Sequence, residues 1–209
     1  MEPTLLLTIK TIFFDIGGVL IDINYKRTAQ FLADCTDLTI EEIESSFPIK
    51  DHDNYEKGIL SDQDFFLAVK ESLPQPCCLK ESDFWKAWRL LLGEETEVVK
   101  ILKRLKKNYS IWLLSNTNPK HINDEIEKNY SFPKLVDGAI YSFNIGHRKP
   151  ENEIYIKAAQ MAKSDPKECL FIDDLFENVE SANNIGFSSI HFKSFKDLLF
   201  KLDKKSIVL

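Results

Sequence analysis

Four places in this sequence set reactive side chains at or just beyond the end of an apolar run. Asp15 follows Thr11-Ile-Phe-Phe14, and Ser115-Asn116 follow Ser110-Ile-Trp-Leu-Leu114. His147-Arg148-Lys149 come shortly after Gly138-Ala-Ile-Tyr141, and Asp173-Asp174 close Glu168-Cys-Leu-Phe-Ile172. A carboxylate able to act as nucleophile, a hydroxyl, a fixed cation and an acidic pair suit phosphoryl transfer through an aspartyl-phosphate. They can act together only if the fold brings these run ends to one edge.

Runs this apolar on both faces suit a parallel sheet covered by helices on each side. Ser188-Ser-Ile-His-Phe192 is a fifth such run. A helical pattern at 94–107 precedes the second run, and others follow at 119–128, 150–163 and 175–185. Pro150 suits a first helical turn, and Gly186 suits a C-terminal cap. The expected class is α/β with right-handed crossovers, whose ligands bind outside the carboxyl ends of the strands.

Nearly a hundred residues separate the first two runs, and they carry helical stripes without a convincing strand. The stripes cover 25–35, 40–47, 61–73 and 82–92, with Ser61 and Asp64 placed as a capping box. Leu73-Pro-Gln-Pro76 reads as a rigid connector. The expected organisation is a core of residues 1–23 and 94–209, with a helical insertion at 24–93.

Composition narrows the partners. The 209 residues carry 27 Lys+Arg against 33 Asp+Glu, a formal charge of -6, which disfavours a nucleic-acid backbone as partner. The basic stretch Lys100–Lys107 has Ile101, Leu102 and Leu105 at helical spacing and reads as the wet face of an amphipathic helix. Four cysteines in no metal or disulfide pattern suggest reduced thiols. No basic leader opens the sequence, and no run approaches the ~18 apolar residues of a membrane span. A soluble, cytoplasmic protein is the expectation. Seven glycines, against roughly 15 at a usual share of about 7%, leave little room for linkers.

Phe13-Phe-Asp-Ile-Gly-Gly-Val-Leu-Ile-Asp22 resembles the first motif of the haloacid dehalogenase-like hydrolase superfamily. Leu113-Leu-Ser-Asn-Thr-Asn118 resembles its second, Gly146-His-Arg-Lys-Pro-Glu151 its third and Phe171-Ile-Asp-Asp-Leu-Phe-Glu-Asn178 its fourth. The four stand in order and span the chain, and the finer likeness is to the sugar-phosphate phosphatase branch that includes bacterial α-glucose-1-phosphate phosphatases. The resemblance implies a Rossmann-like parallel sheet core, with a small helical cap domain inserted after the first strand. It implies a Mg²⁺-dependent phosphatase of a small phosphorylated metabolite, with Asp15 as nucleophile. Asp174, an oxygen of Asp15 and the carbonyl of Gly17 would hold the metal, with Asp173 helping through water. Ser115 and the N–H of Asn116 would bind the phosphoryl oxygens, and Lys149 would neutralise charge shared by Asp15 and phosphate.

The departure is Gly17, where phosphatases of this family usually carry a second Asp as general acid and base. General acid–base help is worth ~10²–10⁴-fold. Its absence favours leaving groups that need little protonation, and the sugar-phosphate branch shares the glycine. Asp22 and His147 are candidates for replacing the shuttle, but Asp22 reads first as a hinge cap and His147 as a surface histidine. Asp51-His52-Asp53 has metal-like residue types but reads first as a loop or helix start. Trp85 and Trp88 read first as core. Two other readings stay open: a metal-independent haloacid dehalogenase, and a catalytically weak protein that binds phosphate ligands on the same scaffold. Oligomeric state is not legible.

Overall fold

The computed structural model describes residues 8–209, so most of the stretch read for a leader lies outside it. β1 (Thr11–Phe14) leads through a turn into β2 (Ile21–Ile23). Five helices follow: α1 (Tyr25–Thr36), α2 (Ile40–Ser45), α3 (Ile49–Glu56), α4 (Asp62–Ser72) and α5 (Glu81–Arg89). The chain returns through β3 (Leu92–Glu95) and α6 (Val99–Leu105) to β4 (Ser110–Ser115). A π-helix over Lys120–Ile126 runs on into α7 (Glu127–Asn129). β5 (Gly138–Tyr141), α8 (Ser142–Ile145), α9 (Asn152–Met161) and β6 (Cys169–Asp173) come next. α10 (Phe176–Ile185), β7 (Ser188–His191) and α11 (Phe195–Lys204) complete the order.

β1 lies at the centre of a five-stranded parallel sheet of order β5-β4-β1-β6-β7, the Rossmann-like α/β arrangement expected. Alternate side chains serve opposite faces. Ile12, Phe14, Leu113, Leu170 and Ile172 enter one apolar cluster, while Phe13, Leu114, Cys169 and Phe171 enter another. Both faces are therefore dry, which is why the strands read as unbroken apolar runs. The side chains buried by α1 to α5 form a third cluster around Phe65, Phe84 and Trp88. The capping box opens α4: the Ser61 hydroxyl accepts from the Asp64 N–H at 3.1 Å, and Asp64 accepts from the Ser61 N–H at 3.4 Å. Gly186 caps α10 in the left-handed region, at φ 105.

Three local expectations need correction. β2 and β3 pair antiparallel, so the helix expected from residue 94 begins at Val99. α3 carries no apolar stripe to read, because its sequence, IKDHDNYE, has only Ile49 and Tyr55 as apolar side chains. Pro150 stands outside α9, whose N-cap is Glu151, because the backbone of Lys149 is held by Asn116 instead. The four cysteines are free, and among the described residues no helix is long and apolar enough to cross a membrane.

Phe13 is fully buried on the central strand, against Trp112 and Phe187. Phe13→Ala is expected to cost about 3–5 kcal/mol in denaturant unfolding. A loss under about 1 kcal/mol would contradict this packing.

Candidate active site

Strand register sets the site. Phe14 pairs with Leu113 on one side and Ile172 on the other, and the Asp15 N–H donates to the Ile172 carbonyl at 2.9 Å. Asp15, Ser115 and Asp173 therefore finish at the same edge of the sheet. The chain leaves β1 towards β4 on one flank and β6 on the other, so this edge is a topological switch point.

One ammonium joins two of the carboxylates. Lys149 Nζ lies 2.8 Å from Asp15 Oδ1 and 2.6 Å from Asp173 Oδ2, with all three side chains buried. Asp173 accepts further bonds from the Leu175 N–H at 2.8 Å and from Asn178 Nδ2 at 3.1 and 3.2 Å. Lys149 is held through its backbone as well. Asn116 Nδ2 donates to the Lys149 carbonyl at 2.8 Å, and the Lys149 N–H donates to Asn116 Oδ1 at 2.7 Å. Next door, the Ser142 hydroxyl accepts from the Thr117 N–H and donates to the Thr117 carbonyl. These braces join the loops after β4 and β5.

The electrostatics follow from burial and crowding. Burial pushes the Asp15 carboxyl up to about 7; Lys149 opposes that rise, while Asp173 and Asp174 add to it. Burial and the neighbouring Asp173 also raise Asp174 above the usual carboxylate range. For Lys149, burial acts to lower the pKa, but Asp15 and Asp173 outweigh it and hold the ammonium above its ordinary value. Three carboxylates thus share one firmly charged lysine.

That deficit fits a divalent cation. Asp15, Asp173 and Asp174 each offer an oxygen, all within 4.8 Å of one another. Asp173 is already engaged by Lys149, Asn178 and Leu175, which leaves Asp15 and Asp174 as the better-placed donors. Gly18 lies at φ 74, and a Cβ there would come within 2.3 Å of Asp174 Oδ2, so only glycine admits this approach. Carboxylate oxygens suit Mg²⁺.

A cavity of about 830 Å³ opens above this edge and reaches α1, α2, α3 and α5. Asp15, Gly17, Ser115, Asn116, Lys149 and Asp174 all line it, as do Asp22, His52 and Trp88. His147 does not; it pairs with Glu151 at 3.1 Å. A Cβ at Gly17 would stand 3.2 Å from Ile23 Cγ1 and Cδ1, a contact that a shift of a few tenths of an ångström in that side chain relieves. Asp51-His52-Asp53 begins α3, where Asp53 and Glu56 are occupied by Arg148. Trp88 is buried as expected, and it also lines the cavity. Trp85 packs under Lys120 Nζ at 5.3 Å.

Reading the sequence missed the braces. The carboxamide of Asn116, the Ser142 hydroxyl, Asn178 and Arg148 act across separations that no local pattern reports. His121 is another. Its Nδ1 faces Asn118 Nδ2, a donor, at 3.1 Å and must accept, so Nε2 carries the proton and donates to the Trp88 carbonyl at 2.9 Å. This neutral imidazole, at the start of the π-helix, links α5 through Asn118 to the loop after β4. Burial lowers its pKa to about 4, with the Trp88 bond opposing and His52 assisting.

Comparison with known proteins places these features in a family. A model described as haloacid dehalogenase-like hydrolase matches residues 9–186. A D-ribitol-5-phosphate phosphatase from Bacteroides thetaiotaomicron is 27% identical over 192 residues, covering 87% of this chain and 90% of its own. The sesquiterpene phosphatase astK of Aspergillus oryzae is 23% identical over 188 residues, covering 88% and 90%. A haloacid dehalogenase family enzyme from B. thetaiotaomicron, solved with magnesium and inorganic phosphate, superposes with a TM-score of 0.79. It is 26% identical, and the match covers 90% of this chain and 96% of that one.

His121 makes stability depend on pH. Its folded pKa near 4 lies below the unfolded value of 6.5, so the unfolded chain binds the proton more readily between the two. The contribution of neutral His121 is complete above about pH 6.5 and falls by about 1.4 kcal/mol per unit towards pH 4. Urea unfolding of wild type and His121→Asn should give a stability difference that is level above pH 7 and shrinks below 6. A difference independent of pH would contradict the assignment.

Proposed function

The chain belongs to the haloacid dehalogenase-like hydrolases, and from that premise we propose a Mg²⁺-dependent phosphatase of small phosphorylated metabolites of the sugar-phosphate kind. The observation that carries this reading is the Lys149 ammonium bridging Asp15 and Asp173 beside Asp174. In a family of hydrolases, that arrangement holds a carboxylate ready to attack and supplies a fixed cation for the group it attacks. The ribitol-phosphate phosphatase, similar over most of its length, supports the substrate class.

Asp15 attacks phosphorus, the bond to the leaving alcohol breaks, and an aspartyl-phosphate forms on the carboxylate. Water then attacks phosphorus, which releases phosphate and restores Asp15. Lys149, the Ser115 hydroxyl and the Asn116 N–H hold the phosphoryl oxygens as their charge redistributes. Asp173 acts through Lys149, keeping the ammonium charged and aimed at Asp15. Mg²⁺ on Asp15, Asp174 and the Gly17 carbonyl would offset the negative charge gathered there. Residues 24–93 act as a cap over a core of 1–23 and 94–209, covering the leaving group and excluding water. The metal-free dehalogenase reading is disfavoured because the acidic cluster repels an anionic halo-acid.

The cap must also work without an acid at Gly17. Departure of the alcohol then depends on the stability of its own anion.

Mg²⁺-dependent phosphate release should fall to background in Asp15→Asn, and equal turnover by the two proteins would overturn the proposal. Across a series of phosphate esters, wild-type rates should fall steeply as the leaving alcohol becomes more basic. Gly17→Asp should flatten that dependence, raising alkyl phosphates by about 10²-fold or more and aryl phosphates little. Equal gains across the series would show that Gly17 does not set the leaving-group requirement.

A further inference from the structure

The charges lining the cavity divide into two zones. At its floor, Lys149 offsets Asp15 and Asp173. Farther out, the charged side chains on the wall are Asp22, Glu44, Glu56 and Arg148. Arg148 is the one cation among them, and it is already taken. Its Nε and Nη2 donate to Glu56 Oε2 at 3.1 and 2.9 Å, and Nη1 lies 2.9 Å from Asp53 Oδ1. Asp22 and Glu44 are exposed. Among the described residues that line the outer cavity, no cation is left for a ligand.

The rest of the outer wall is largely apolar. Leu32, Ile43, Phe47, Trp88 and Leu91 face the same space from the helical segment. Thr28 and His52 add small polar groups, and burial keeps His52 below the ordinary histidine range, hence neutral at pH 7. An alcohol entering here meets apolar and aromatic surface, carboxylates able to accept its hydroxyls and no free positive charge.

We propose that the cavity selects monophosphates of uncharged alcohols that have an apolar C–H face, and rejects leaving groups carrying a second anion. Asp22 and Glu44 are the residues that set this selection, by repulsion as much as by contact. The inference rests on the phosphatase reading and deepens it. A carboxylate or second phosphate on the leaving group has to approach Asp22 and Glu44 without a compensating cation. At an effective dielectric of about 20, one such like-charge approach to about 8 Å slows a substrate by about 30-fold.

The test is the kcat/KM of two esters of similar size with Mg²⁺ present: sorbitol 6-phosphate, whose alcohol is neutral, and 6-phosphogluconate, whose alcohol carries a carboxylate. 4-Nitrophenyl phosphate serves as an independent measure of Asp15 chemistry. Wild type should favour the neutral ester by about 30-fold or more. Glu44→Lys and Asp22→Asn should each raise turnover of 6-phosphogluconate and narrow the ratio, Glu44→Lys the more. A ratio near one in wild type, or one unmoved by both variants, overturns the inference. If 4-nitrophenyl phosphate is still hydrolysed in an Asp15-dependent way, the phosphatase reading survives that failure. If none of the three esters is hydrolysed, both readings fall.

Discussion

Three carboxylates cannot share one sheet edge without a cation among them, and the structure is arranged around that constraint. Asp15, Asp173 and Asp174 project where β1 and β6 end, and Lys149 is the one ammonium placed between them. Losing any support of that lysine would leave buried negative charge without a partner, which is costly. Supports are correspondingly many. Asn116 grips the lysine backbone, Ser142 ties the adjoining loop, and Asn178 with the start of α10 holds Asp173. Even so, three negative charges face one positive charge, and burial, with Asp173 and Asp174 adding to it, pushes Asp15 up to about 7. A divalent cation would make up the difference, and its binding would then be coupled to the ionisation of Asp15 in one site.

The loop that delivers Lys149 to the floor also delivers Arg148 to the helical segment. Arg148 and Lys149 stand in a turn closed by the Glu151 N–H donating to the Arg148 carbonyl at 2.8 Å, and from it one side chain reaches Asp15 while the other reaches Glu56 and Asp53 on α3. On the far side, His121 connects the loop after β4, through Asn118, to the Trp88 carbonyl on α5. Both loops at the floor of the site therefore carry a link to the segment above it. Any movement of that segment must break or bend these bonds, so its position and the assembly of the site are physically joined.

The strands and their polar ends were legible because both depend on short stretches of chain. An unbroken apolar run of four or five residues reports a strand buried on both faces, and the residue that ends it reports the functional edge. What depends on distant pairing was not legible. β2 and β3 are short and half-exposed, and only their mutual hydrogen bonds make them strands. Arg148 lies 92 residues from Glu56, and Asn116 lies 33 residues from Lys149. Neither partnership leaves a periodic trace. Gly17 reads in sequence as a missing acid; in three dimensions a Cβ there would meet only the flexible end of Ile23 at 3.2 Å, so a small shift of that side chain admits Gly17→Asp.

The central claim, that Asp15 accepts the phosphoryl group, is tested most directly by a crystal structure with Mg²⁺ and beryllium fluoride. The account predicts a trifluoroberyllate bonded to an Asp15 carboxylate oxygen, with its fluorines facing Ser115, Asn116 and Lys149. Trifluoroberyllate bound elsewhere, with Asp15 left unmodified under saturating Mg²⁺, would contradict it.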